Sequence, residues 1–429
     1  MDGGGELAYF PPMADPRLYL GLDLGTSGAR VIVIDAAGGA RASASAAMTD
    51  FGGNPRAPAV WRAAAFAALD RARAQVDFHD ISAMAIDGTS GTLLAVDAQS
   101  EPLGDALMYD DRSDSGLCAR VDAAAPAQSA ARGATSGLAK AFALAARGPR
   151  LILHQADWIA SLLSGRWVSD ANNALKTGYD ASAGVWPDWI ARAGFDTRLL
   201  PDVLAPGATV GRITREAAAR FGFAMDARVV AGTTDGCASF LATDAKEIGD
   251  GVTALGTTLT IKQLAERPIF APQFGVYSHR IRGLWLAGGA SDSGGGALLA
   301  HFSVVQIEAL TPRLKPDIPT GLNYYPLARP GERFPYVDPA LAPRVSPRPD
   351  DPALFLQGLL EGIAEIEALA YGRLRELGGP ALRSVRTVGG GARNAAWTQI
   401  RARRLCVSLP PAEQEEAAYG AALLARDGV

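Results

Sequence analysis

Cysteine is scarce in this chain. Its three thiols, Cys118, Cys237 and Cys406, are spread through 429 residues. Their odd number and wide spacing exclude a disulfide framework and a zinc site, and they suit a reducing, cytoplasmic setting. Histidine is nearly as rare, with four residues too scattered for a metal cluster. No apolar run is long enough to span a bilayer. The opening "MDGGGELAYFPPMADPR" has neither the basic segment nor the long apolar segment of a secretory signal. A net charge of −4 offers no electrostatic reason to bind nucleic acid or an anionic membrane. Arginine far outnumbers lysine, but the arginines are dispersed and form no phosphate-binding stripe. Two nucleotide signatures are missing as well. No G-x-x-x-x-G-K-[ST] loop occurs, and there is no convincing dinucleotide-binding G-x-G-x-x-G.

What is present points to a two-domain α/β protein. The length exceeds what one core usually serves. Nearly half the residues are apolar, with glycine and proline plentiful but scattered. Glycines and Pro11-Pro12 make residues 1–16 an expected disordered tail, and Met13 a candidate natural start. Helical spacing predicts helices over Val60–Val76, over residues 154–165 with Gly165 as the stop, over 355–377 with Gly378 at the C-cap, and over Glu415–Ala425 with Gly420 in its middle.

The turns carry the chemistry. Apolar runs Leu18–Leu22 and Val31–Ile34 flank Asp23 and a Gly25-Thr26-Ser27-Gly28 turn. The same strand, Gly-Thr-(Ser/Thr), strand unit recurs over 252–261, around Gly256-Thr257-Thr258. One copy could be an ordinary hairpin joint. Two copies suggest two related lobes facing each other across a cleft. Phosphates need backbone N–H groups and hydroxyls on turns free of bulky side chains. Magnesium needs oxygen ligands, typically one or two carboxylates. Asp23 with its turn supplies both, and the second turn supplies a further grip. Asp235, after an apolar strand and two threonines, is placed at a helix N-terminus facing the cleft. It could orient an acceptor hydroxyl and take its proton, or simply cap the helix. The glycine triplet at 389–391 heads a helix and could admit an anion, or be a plain strand-to-helix loop.

In this order, "GLDLGTSGAR", "AGTTDG", "ALGTT" and "VGGGARNAAW" resemble the FGGY carbohydrate kinases. The resemblance runs from about residue 18 to the end. "IDGTSGT" at 86–92 stands where many members carry a Gly-Gln motif. With "NALKTGYD" and "GLNYYPL…GERFP" it is similar to the compact D-ribulose kinase group. The resemblance implies an α/β fold of two ribonuclease-H-like domains, as in actin, hexokinase and the Hsp70 ATPase, flanking a central cleft. Residues 17–242 with 416–429 would form a sugar-binding domain, and 243–415 a nucleotide-binding domain.

By the same resemblance the cofactors are ATP and magnesium. Asp235 would be the catalytic base. Asp23 would act in catalysis and hold the metal, with Asp235 beside it. Gly25, Thr26, Gly256, Thr257, Gly390, Gly391 and Asn394 would bind nucleotide, with Trp397 either a wall beside the adenine or core. Ser27, Gly88, Thr89 and Ser90, with Asp23 and Asp235, would meet the sugar. Asp111 and Arg112 fit an Asp-Arg pair used by many relatives, or else lie on a solvated loop. The implied reaction is ATP-dependent phosphorylation of D-ribulose to D-ribulose 5-phosphate in the cytoplasm, by a monomer or homodimer. Alternatives are a kinase of D-xylulose, L-ribulose, glycerol or sedoheptulose, an actin- or Hsp70-like nucleotide switch, or a kinase-derived regulator. Intact Asp23 and Asp235 argue against the last.

Overall fold

The computed structural model describes residues 17–429. The expectations for residues 1–16 and Met13 lie outside this range. Two β-sheets organise the rest. The first has seven strands. Leu18–Leu24 pairs antiparallel with Gly28–Asp35, which pairs antiparallel with Ala40–Ala47. On its other side Leu18–Leu24 runs parallel to Ile81–Gly88. The second sheet repeats this scheme. Asp250–Leu255 pairs antiparallel with Leu259–Ala265, which continues to Leu284–Ser291, while Ser384–Val388 lies parallel to the first of these. Tyr277–Ile281 adds an edge strand. The duplication suggested by the two Gly-Thr turns is therefore one of topology.

Two helices lie between the sheets. The Asp235–Ala242 helix contributes Cys237, Phe240 and Leu241 to a core shared with Tyr19, Ile32 and Ile34 of the first sheet and Val252, Leu264 and Leu286 of the second. The final helix, Ala417–Asp427, adds Ala418, Ala421 and Ala422. Glycines let these elements approach closely. A Cβ on Gly21 would stand 1.9 Å from the Ala418 carbonyl oxygen, and one on Gly420 would stand 1.8 Å from that of Ala238. Such distances are closed to any side chain, so the last helix seats directly on the Asp23 strand and on the Asp235 helix.

Helix boundaries shift from the sequence reading for local reasons. The helix expected over Val60–Val76 spans Pro58–Arg73. Pro58 fits its first turn, and Gln75 is drawn out of line by bonds to the Ser43 main chain, at 3.1 Å from its N–H and 2.9 Å to its carbonyl. Residues 154–165 contain the helix Gln155–Ser164, stopped by Gly165 in the left-handed region at φ 68°. The long helix runs Pro352–Glu376, with Asp351 as its N-cap and Gly378 at φ 100° just beyond. The final helix begins two residues later than expected.

Candidate functional site

The strand ends bring three carboxylates together. In the parallel pairing Asp23 stands opposite Asp87, and Thr233 also lies beside Asp87. Asp235 follows two residues later, in the first turn of its helix, its Oδ1 accepting the Gly236 N–H at 2.6 Å. Asp23 is 3% exposed and Asp87 wholly buried. Burial pushes all three acids above their usual range. Asp23's charge raises Asp87 further, and Asp87 is held well above an ordinary carboxylate. No neighbouring N–H or hydroxyl donates to either oxygen of Asp87, and its side-chain hydrogen bond is the one with Asp23. A protonated Asp87 beside an ionised Asp23 accounts for that placement, because two adjacent carboxylates do not both ionise readily. On Asp235 the Gly236 N–H and the ammonium groups of Lys262 and Lys176 oppose the effect of burial.

A cavity of about 480 Å³ opens over these acids. Asp23, Gly25, Thr26, Ser27, Thr89, Ser90 and Asp235 line it, together with Arg30, Tyr109, Lys176, Ser239, Glu415, Glu416 and Ala417. Seven of the residues singled out in the sequence thus meet in one place. Arg30 reaches Asp23 at 3.3 Å inside this cavity. Ser90 presents a buried hydroxyl with no partner, whereas Thr89 is committed to Gln155 at 2.9 Å and Thr92 at 2.6 Å. Gly88 does not line the cavity. It lies against Gln155 and Ala156, where a Cβ would come within 3.1 Å of the glutamine oxygen.

The second set of residues lies on the other sheet. Gly256 and Thr257 are exposed, and their carbonyls accept the N–H groups of Gly295 and Gly296 at 2.8 and 2.9 Å. The loop at 389–391 packs on Leu255, the residue before Gly256. It also touches the first set, since the Gly389 N–H donates to the cavity-lining Glu415 carboxylate at 3.1 Å. The triplet does not itself head the following helix. Gly390–Arg393 form a 3-10 turn, and Asn394 caps Ala395–Leu405 by accepting the Trp397 N–H at 3.0 Å. Its amide nitrogen is committed to Thr311 at 3.1 Å. Trp397 is 3% exposed in the core beneath Gly391, so the core alternative holds for its ring in place of an adenine wall. Asp111 is taken by a two-pronged pair with Arg56 and by the Met108 N–H at 2.8 Å. Arg112 is exposed and away from the cavity.

Sequence reasoning missed Asp87, Arg30, Tyr109, Lys176, Ser239, Lys262 and the pair Glu415-Glu416. Only Asp87 carried a signal: "AIDG" repeats the apolar-run, Asp, polar-turn pattern of "GLDLG". Lys262 comes from the second sheet, and its ammonium bonds the Gly236 carbonyl.

Residues 253–426 match the C-terminal domain of the FGGY family of carbohydrate kinases. Over this stretch the chain is similar to that domain. A xylulose kinase of Streptomyces coelicolor is 27% identical over 95% of this chain and 87% of its own length. One from Streptomyces rubiginosus is 27% identical, over 59% of this chain and 56% of that protein. The solved structure of a xyloylose kinase from Brucella ovis superposes with a TM-score of 0.84 at 24% identity, covering 96% of this chain and 91% of the other, and shows a shared fold. Among the described residues, no helix is long and apolar enough to cross a membrane.

Among the described residues, no group of three or more His, Cys, Asp or Glu side chains is arranged to hold a metal ion. Magnesium commonly takes one or two carboxylates and fills its shell with phosphate and water. Asp23 and Asp235 on one cavity wall fit that mode of binding.

Proposed function

We propose that this protein is an ATP-dependent ketose kinase acting in the cytoplasm, with D-ribulose as its first candidate substrate. The observation that carries the reading is the single cavity gathering Asp23, Asp235, the Gly25–Ser27 turn and the unpartnered Ser90 hydroxyl. Ser90 and Thr89 belong to the "IDGTSGT" segment on which the ribulose assignment rests. D-xylulose is the second candidate, favoured by the names of the two relatives.

In this reading Asp235 takes the proton of the sugar's terminal hydroxyl. The oxygen then bonds to the γ-phosphorus as the bond to ADP breaks. A carboxylate raised by burial but steadied by two ammonium groups is a suitable base near neutral pH. Bound magnesium would neutralise charge on the phosphates, held by Asp23 and Asp235. Gly25 and Thr26 would meet the transferring group, while Gly256, Thr257, Gly390 and Gly391 would cradle the nucleotide from the second sheet. Ser27, Ser90 and Thr89 would contact the sugar. Residues 17–242 with 416–429 would act as the sugar half, and 243–415 as the nucleotide half.

A coupled ADP-release assay across pentuloses, hexuloses and polyols, with product identification, tests this. D-ribulose should give the highest kcat/KM and yield the 5-phosphate. Preference for D-xylulose would replace the substrate, and no stimulation by any sugar would remove the kinase reading. Asp235→Ala should lower turnover about 10²–10⁴-fold while nucleotide still binds. Retained turnover would take Asp235 out of the mechanism.

A further inference from the structure

Asn172 joins the two halves of the molecule through one side-chain amide. It lies on the short helix Ala171–Ala174, whose N-cap, Asp170, accepts the main-chain N–H groups of Asn172 at 2.8 Å and Asn173 at 3.0 Å. The residue is 1% exposed. Its Oδ1 accepts the N–H of Arg280 at 2.6 Å, and its Nδ2 donates to the carbonyl of the same residue at 2.8 Å. The Arg280 N–H fixes which amide atom is the oxygen. Arg280 lies on Tyr277–Ile281, the edge strand of the second sheet. An edge strand leaves main-chain donors and acceptors unpaired, and here an amide completes the ladder as another strand would. The second hydrogen of Nδ2 goes to Thr233 Oγ1 at 2.8 Å. Thr233 precedes Asp235 by two residues, and immediately after Asp235 the Gly236 carbonyl is taken by Lys262 from the second sheet. Asp235 therefore stands between two ties that cross from one half to the other.

We propose that Asn172 is the pin of the joint between the halves and a positioning residue for Asp235. One amide holds the second sheet's edge and the Thr233 hydroxyl together, so the two halves cannot shift about this joint without moving the strand that leads into Asp235. The inference rests on the kinase reading for its consequence in turnover, but not for the joint itself.

Two variants separate these roles. Asn172→Asp keeps size and shape but turns an oxygen toward the Arg280 carbonyl. Thr233→Val removes the hydroxyl and leaves the Arg280 bonds in place. Displacement of a reacting group by about 1 Å can cost 10²-fold. Asn172→Asp should accordingly lower kcat by at least about 30-fold, with KM for ATP within about threefold. Thr233→Val should lower kcat by about tenfold, and the double variant should be no worse than Asn172→Asp, as expected of side chains acting as one unit. The joint is read separately by electron–electron distance measurement between spin labels on the native, exposed Cys406 and on Ala74→Cys, in a Cys118→Ser background. The parent should give a narrow distance distribution and Asn172→Asp a broadened one. An unchanged distribution together with kcat within twofold of the parent overturns the proposal, as does additivity of the two kcat losses. A parent protein that consumes no ATP with any sugar would sink the kinase reading instead, and the label distances would still decide whether Asn172 pins the joint.

Discussion

Arg401→Met should destabilise the second half of the molecule by about 3–5 kcal/mol, the usual cost of leaving one member of a buried ion pair alone. Arg401 and Glu367 are each 1% exposed at the side chain. They meet two-pronged, Nε to Oε2 at 2.6 Å and Nη2 to Oε1 at 2.7 Å. Arg401 Nη1 also donates to Thr387 Oγ1 at 2.6 Å, and Glu367 accepts from Thr253 Oγ1 at 2.5 Å. Thr253 and Thr387 face each other in register on neighbouring parallel strands. One strand leads to Gly256, the other to Gly389. Methionine preserves much of the arginine stem but leaves Glu367 only the Thr253 hydroxyl, and Thr387 loses its donor. At about 2–4 °C per kcal/mol for a domain of 150–250 residues, calorimetry should show a transition lowered by roughly 6–20 °C. Nucleotide KM should rise, because both loops hang on the two threonine strands. Adding Glu367→Gln should recover part of the loss by removing the uncompensated charge while keeping an acceptor for Thr253. An Arg401→Met protein that melts within about 2 °C of the parent would refute the reasoning, since that is less than 1 kcal/mol on the same scale.

Gly420→Ala should destabilise despite a helix-propensity gain of about 1 kcal/mol, because the new methyl would overlap the Ala238 carbonyl. Overpacking of this kind costs about 1–3 kcal/mol or more. Since Ala238 is on the Asp235 helix, thermal melting and kcat should fall together. A protein of raised melting temperature would contradict the close approach. A pH effect should arise at Asp170, whose pKa is raised to about 7 by burial and then by the charge of Asp157. Folding therefore retains a proton that the unfolded chain releases from about pH 4 upward. The contribution is present in acid and is lost as pH rises toward 7. Asp170→Asn should flatten that part of the stability curve, because Asn173 can turn its unpartnered Oδ1 to the new amide. An unchanged slope in urea titrations between pH 4 and 7 would count against the assignment.

The carboxylate-and-turn units were legible because their information is local. An apolar run ending in Asp23, then Gly-Thr-Ser-Gly, sets a strand, an acid at its mouth and a turn open to a ligand within a dozen residues. The recurrence around Gly256 revealed the second sheet for the same reason, and Asp235 could be placed from the strand and threonines before it. Trp397 was ambiguous because an indole is used equally well in a core or a binding wall, and the cap that Asn394 makes went unread because a side-chain amide serves a helix end as readily as a ligand. Asp87 could have been found by likeness to the Asp23 strand, yet its meaning needed the register that sets the two carboxylates side by side.

Local pattern therefore determined the composition of the first half of the site and the duplicated plan of the protein. It did so through periodicity and turn chemistry, which act over a few residues. Only the tertiary structure decided that Lys262 and Lys176 flank Asp235, that Glu415 returns with the last helix to meet the Gly389 loop, and that Arg401 and Glu367 set both loops of the second half. Those contacts join residues far apart in the chain. They depend on sheet pairing and on the close approach of the last helix to a strand at Gly21 and to a helix at Gly420, and no short stretch of sequence says which partner each element meets.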